Sequence, residues 1–167
     1  MLVRCWPRRT LRKLLRLATL TTGRQDWGLL RPFCAAVKAD SRFSLSLWAG
    51  GMACSDMYGQ VTSLGREQGV EIELEMPWDA ERSQASVQAS DAVRMTASAL
   101  SRSRPDVLVV LGDRYETAAA ALAATIERVP IVHLYGGEET EGAFDNSLRH
   151  AITKMSHLHF VSHEVYA

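Results

Sequence analysis

The chain has 167 residues, enough for one domain that buries about 68–70 % of the surface its unfolded form exposes. Its 19 basic and 19 acidic side chains cancel, which excludes a global field drawing it to nucleic acid. Cys5, Cys34 and Cys54 are too few and too widely spaced for a disulfide framework or a zinc site, and no apolar run reaches the roughly eighteen residues of a membrane helix. A reducing, cytoplasmic setting is the simple expectation, with no metal and no cofactor.

Residues 1–13 read as a basic extension, since Arg4, Arg8, Arg9, Arg12 and Lys13 precede the first acid, Asp26. No apolar core or small-residue cleavage site follows, so an upstream extension is favoured over a targeting peptide. From residue 14 the chain reads as one α/β domain running to 167. Leu14–Thr21 is a first strand, closed by the Thr22-Gly23 turn. A helix is expected over Leu29–Lys38, with Pro32 in its first turn, where a missing N–H matters little. Phe43–Trp48 alternates as a second strand, Ala49–Met52 turns, and a helix over Met57–Gln68 ends at Gly69. Val70–Leu74 alternates as a short strand at a sheet edge.

After a loop at Pro77–Ser83, Ala85–Ser103 is a long helix of small residues. Val107–Leu111 is five aliphatic residues without alternation, the mark of a parallel strand covered on both faces. Thr117–Glu127 is an alanine-rich helix stopped by Pro130, and Ile131–Leu134 is the next strand. Tyr135–Asp145 is a loop dense in glycine and carboxylate, followed by a helix over Ser147–Met155 that Asp145 or Asn146 can cap. His157–Val161 is a last strand, and Ser162-His163-Glu164 opens another helix. Strand, polar loop and helix, repeated with short connections, predict a doubly wound, mostly parallel Rossmann-like sheet of about six strands.

Such sheets bind ligands beyond the carboxyl ends of their strands, and Asp113 is the first polar group past one of them. The Gly23-Arg24 turn offers backbone N–H groups and a guanidinium to an anion. Asp113, Glu138 and Asp145, like Glu116, Glu139 and Glu141, are carboxylates in polar loops or helix starts that suit acid–base work if burial and like-charge neighbours raise a pKa. Each has a plainer alternative: Asp113 and Asp145 as helix caps, Glu138 as a solvated loop charge. His157 and His159 share a strand face, yet no partner stands at a zinc-like spacing.

Three motifs carry more. Gly112-Asp113-Arg114-Tyr115-Glu116, then Gly136-Gly137-Glu138, then Asp145-Asn146-Ser147-Leu148-Arg149-His150 follow one another over some forty residues. In order and spacing they resemble the hydrolysing UDP-N-acetylglucosamine 2-epimerases of sialic-acid and legionaminic-acid type. The resemblance implies the amino-terminal half of a glycosyltransferase-B-like fold. It also implies an enzyme that eliminates UDP from a UDP-sugar and hydrates the glycal to an N-acetylmannosamine-type sugar. Asp113, Glu138 and Asp145 then stand as catalytic residues, with Glu116, Glu139 and Glu141 less favoured. Arg24, Asp26, Arg114, His133, Tyr135, Gly136, Gly137, Ser147, Arg149 and His150 stand as substrate-binding residues.

The chain departs from the pattern at Tyr135, where many members carry a glutamate and some a histidine. A tyrosine, with its usual pKa near 10, is a poor base at neutral pH. The resemblance further implies a second, nucleotide-gripping domain that the chain lacks, so little turnover is expected of it alone. Members of this kind commonly form homo-oligomers; nucleic acid and membrane are not expected partners. A non-catalytic remnant acting as a binding or oligomerisation module is the alternative. A flavodoxin-like nucleotide binder is a weaker one, since it leaves the three motifs unaccounted for.

Overall fold

A computed structural model describes residues 14–58, 61, 63, 65, 69–81, 83–139, 141–142 and 144–166. The basic extension at 1–13 lies outside the described residues, and so does most of the helix expected over Met57–Gln68. Within that stretch Asp56–Tyr58 is a 3₁₀ turn, and positions 61, 63 and 65 are helical.

Six strands form one sheet: β1 (Leu15–Thr21), β2 (Phe43–Gly50), β3 (Leu74–Met76), β4 (Val107–Leu111), β5 (Ile131–Leu134) and β6 (Leu158–Phe160). Their spatial order is β3-β2-β1-β4-β5-β6, and every neighbouring pair is parallel. The order reverses between β1 and β4, which opens a crevice at their carboxyl ends. Flanking the sheet, among the described residues, are the helices α1 (Arg24–Ala39), α2 (Ala85–Ser103), α3 (Tyr115–Ile126) and α4 (Asp145–Met155).

Two apolar layers cover the two faces. On one, Trp27, Leu30 and Cys34 of α1 pack with Leu47, Ala49, Val61 and Leu111. On the other, Ala92, Ala99 and Leu100 of α2, the alanines of α3 and Ile152 of α4 pack on Leu108 and Val110. Alternate residues of β4 thus enter opposite layers, which is why that strand needs no polar positions. Ala119, Ala120, Ala121, Ala123 and Ala124 are all buried. Small side chains on α3 let its backbone approach both α2 and the sheet.

Several boundaries differ from the sequence expectation. Helix α1 starts at Arg24, not Leu29, which places Pro32 in its interior. Pro32 and Gly28 are both exposed, so the carbonyl that loses its helical donor is met by water. Strand β3 lies at the sheet edge but at Leu74–Met76, not Val70–Leu74. Its register begins opposite Trp48, so only the last residues of β2 offer it a ladder. Phe144, not Asp145 or Asn146, occupies the N-cap of α4, with a helical backbone and no side-chain cap bond. Ser162-His163-Glu164 leads only into a 3₁₀ turn at Glu164–Tyr166.

Candidate active site

The charged groups gather at the carboxyl ends of β1, β4 and β5, in two neighbouring clusters. The first flanks the crevice between β1 and β4. Asp26, in the first turn of α1, folds back so that its carboxylate accepts from the Thr22 N–H at 2.9 Å and the Thr22 hydroxyl at 2.6 Å. Arg114 donates to both oxygens of Glu116, at 2.6 and 3.1 Å, and Glu116 is fully buried. The Arg114 and Glu116 charges both act on Asp26.

Burial dominates at Asp26 and raises its pKa above 3.8, against the Thr22 hydrogen bonds and the Arg114 charge. The sign follows directly. Between 3.8 and the raised value the folded chain holds a proton that the unfolded chain has released. This contribution to stability is therefore full below 3.8 and is lost as pH rises through the folded value. Asp26→Asn should flatten that part of the profile, measured as unfolding free energy in denaturant across the window. An unchanged profile would assign the burial penalty to another group.

The second cluster lies between β4, β5 and α4. Gly112 leaves β4 with φ 75°, a left-handed turn that suits glycine, and Asp113 follows it. Asp113 does not cap α3: the N-cap there is Arg114, without a side-chain cap bond. Its carboxylate instead accepts from Nη2 of Arg149, a buried residue of α4. The Arg149 Nη1 also lies 3.9 Å from a Glu138 oxygen, so one guanidinium bridges two loops. Its Nε and Nη1 have no hydrogen-bond partner among the described residues. Ser162 donates its hydroxyl proton to Glu138.

Helical spacing explains the arrangement. Asp145, Arg149 and Thr153 recur every four residues and so share one face of α4. Asp145 is half-buried, and its side chain makes no hydrogen bond or ion pair among the described residues. His150, one step round the helix, is exposed and meets Glu139 at 3.0 Å. A pair so wet contributes little.

The backbone past β5 bends twice. Tyr135 has φ 59°, rare for an aromatic residue, and Gly137 has φ 82°. A side chain at Gly137 would run into the backbone carbonyl of Tyr166. Tyr135 is itself exposed, and Gly136 is buried.

The site residues expected from the sequence therefore separate into groups. Asp113, Glu138 and Arg149 are brought together, with Asp145 one helical turn away. Asp26 and Arg114 form the neighbouring cluster with internal partners. Arg24 and Ser147 are exposed at the starts of α1 and α4. His133 is fully buried, with its ring bonded to the Gly112 carbonyl inside the protein. Sequence reasoning ranks Glu116 low and does not find Thr153. Opposite charge at i and i+2 across a helix start is the available signal for Glu116, and the four-residue recurrence from Arg149 is the signal for Thr153. Burial pushes the thiols of Cys34 and Cys54 up to about 11, so both are protonated at neutral pH and are poor nucleophiles.

A family model described as UDP-N-acetylglucosamine 2-epimerase matches residues 35–167. The chain is 38% identical over 154 residues to the GDP/UDP-N,N'-diacetylbacillosamine 2-epimerase (hydrolyzing) of Campylobacter jejuni, covering 90% of this chain and 40% of that protein. It is 35% identical over 156 residues to the UDP-N,N'-diacetylbacillosamine 2-epimerase (hydrolyzing) of Legionella pneumophila, covering 90% and 41%. The chain thus spans about two fifths of the length of these curated relatives. The crystal structure of UDP-GlcNAc 2-epimerase from Neisseria meningitidis bound to UDP-GlcNAc superposes with a TM-score of 0.81 at 18% identity, over 91% of this chain and 41% of that one. That likeness shows the glycosyltransferase-B-type fold of the amino-terminal half.

Proposed function

Because the chain belongs to the UDP-N-acetylglucosamine 2-epimerase family, we propose that it forms the acid–base half of a hydrolysing 2-epimerase acting on a UDP-linked 2-acetamido sugar. The observation that carries this reading is Arg149, which holds Asp113 and Glu138 side by side at the ends of β4 and β5. In the first step a carboxylate takes the proton from the second sugar carbon. The carbon–oxygen bond to UDP breaks, and a glycal double bond forms as UDP leaves. Water then adds hydroxide to the first carbon, and an acid returns a proton to the second carbon on the opposite face.

Asp113, Glu138 and Asp145 are the groups on this chain able to move those protons. Asp113 is held by a hydrogen bond from the Arg149 guanidinium, and Glu138, bonded by Ser162, lies 3.9 Å from the same guanidinium, which draws both toward a common space. Asp145, half-buried one turn before Arg149, is free to meet the other face of the sugar. A second domain, of the kind the longer relatives have room for, would supply most of the uridine and diphosphate contacts. Tyr135 stands at a position where a carboxylate is common in the family and has a left-handed backbone. That observation favours, as the second reading, a non-catalytic module that pairs with longer relatives.

The test joins this chain to the remaining three fifths of the Campylobacter relative and measures UDP release. We expect turnover with UDP-N,N'-diacetylbacillosamine to exceed turnover with UDP-N-acetylglucosamine, since the Campylobacter and Legionella relatives both carry the former name. A well-folded joined protein that releases UDP from neither sugar would support the non-catalytic module.

A further inference from the structure

His133 lies in the middle of β5, opposite Val110 of β4 and His159 of β6. Its ring is fully buried. The Nε2 atom lies 2.8 Å from the carbonyl oxygen of Gly112. A carbonyl can only accept, so Nε2 carries the proton. The other nitrogen, Nδ1, then accepts the Thr153 hydroxyl at a long 3.4 Å. A side chain at Gly136 would come within 2.7 Å of the same Nδ1, so glycine there leaves room for the ring.

One imidazole thus touches all three segments that carry the charged cluster. Gly112 immediately precedes Asp113, Gly136 lies two residues before Glu138, and Thr153 is one turn beyond Arg149. We propose that His133 is a positioning residue, held as the neutral Nε2–H tautomer. In that form it fixes the Gly112 carbonyl, and through it the approach of Asp113 to Arg149. Any catalytic consequence rests on the epimerase reading, whereas the geometry does not.

The groups facing the ring agree with a neutral form. His159 on β6 stands edge-on with ring centres 6.3 Å apart, Arg149 reaches over from α4, and Asp113 lies in the loop after β4. Burial lowers the pKa below 6.5, and His159 and Arg149 act in the same direction against the Gly112 carbonyl and Asp113. As pH falls through 6.5 the unfolded chain gains a proton that the folded ring refuses. Stability is present above 6.5 and declines below it, toward the folded value.

The test is nitrogen NMR of the imidazole rings in this chain, which needs no turnover. Expected is a protonated Nε2 and an unprotonated Nδ1 at neutral pH, persisting below 6.5. An Nδ1–H tautomer, or a ring already charged at 6.5, would overturn the proposal. His133→Phe should move the Asp113 amide and Arg149 Nε–H resonances. His133→Gln, whose amide can still donate to the Gly112 carbonyl, should return both toward their original positions. If the phenylalanine chain does not fold, the native tautomer and the glutamine variant still decide. Resonances that stay put in both variants would show that the carbonyl needs no help from His133. Absence of UDP release by the joined protein, with this NMR pattern intact, would overturn only the epimerase reading.

Discussion

Arg149→Ala should lower the stability of this chain by about 2 kcal/mol and abolish nearly all UDP release by the joined protein. The stability figure sits below the ~3–5 kcal/mol usual for removing one partner of a buried pair. Asp113 keeps 24% of its side-chain surface exposed and Glu138 keeps 36%, so water can reach both once the guanidinium is gone. Part of what remains is also offset, because Arg149 Nε and Nη1 are buried donors without hydrogen bonds among the described residues. The activity effect is larger. Two carboxylates that lose a shared anchor drift by about an ångström, and misplacement of that size can cost about 100-fold in rate. Lysine should not rescue it, since an ammonium cannot span two carboxylates as a planar fork does. Denaturant unfolding and UDP release measured on the same variants check both parts. An Arg149→Lys protein with full turnover would contradict the bridging role.

Glu116→Ala should be the more damaging change to the fold, by about 3 kcal/mol. Glu116 is only 1% exposed, and its loss leaves the Arg114 guanidinium half-buried without its carboxylate. Asp26, held by Thr22, cannot swing across to replace it. At roughly 2–4 °C per kcal/mol for a chain of this size, the melting temperature falls by about 6–12 °C. The companion Arg114→Met/Glu116→Leu removes both charges and should recover most of the loss, because a buried pair is often no more stabilising than the apolar residues replacing it. A single Glu116→Ala within about 0.5 kcal/mol of the parent would show that Arg114 finds solvent instead.

The sequence reveals this architecture wherever one physical signal acts alone. Val107–Leu111 and Ile131–Leu134 are bounded by Pro105, Gly112 and Pro130 and lack polar alternation; both emerge as central parallel strands. Ala85–Ser103 is equally plain as a helix. The start of α1 is hidden because Pro32 reads as a first-turn residue, and only the solvent on that face makes it tolerable in the interior. Strand β3 is displaced because alternation over Val70–Leu74 reports burial, whereas the ladder to β2 is made by Leu74–Met76 opposite Trp48–Gly50. At the site, three motifs locate Asp113, Glu138 and Arg149, but their partnership is invisible. Nothing in the letters shows that Arg149 reaches Asp113, or that the His133 ring is buried against the Gly112 carbonyl. Both facts depend on the parallel register of β4 and β5 and on the face α4 presents to them. Asp145 reads as a cap because a carboxylate at a helix start commonly is one. Its place on the Arg149 face emerges only once the helix is seen to begin at Asp145 itself.

The most direct measurement is the rate of UDP release by the joined protein carrying Asp113→Asn. Asparagine keeps the side chain's shape and one oxygen able to accept from Arg149, while removing the capacity to take a proton together with the charge of the ion pair. If Asp113 moves a proton in the reaction, kcat falls by at least about 100-fold, with KM little changed and the fold intact. A variant that turns over at the parent rate would contradict that role.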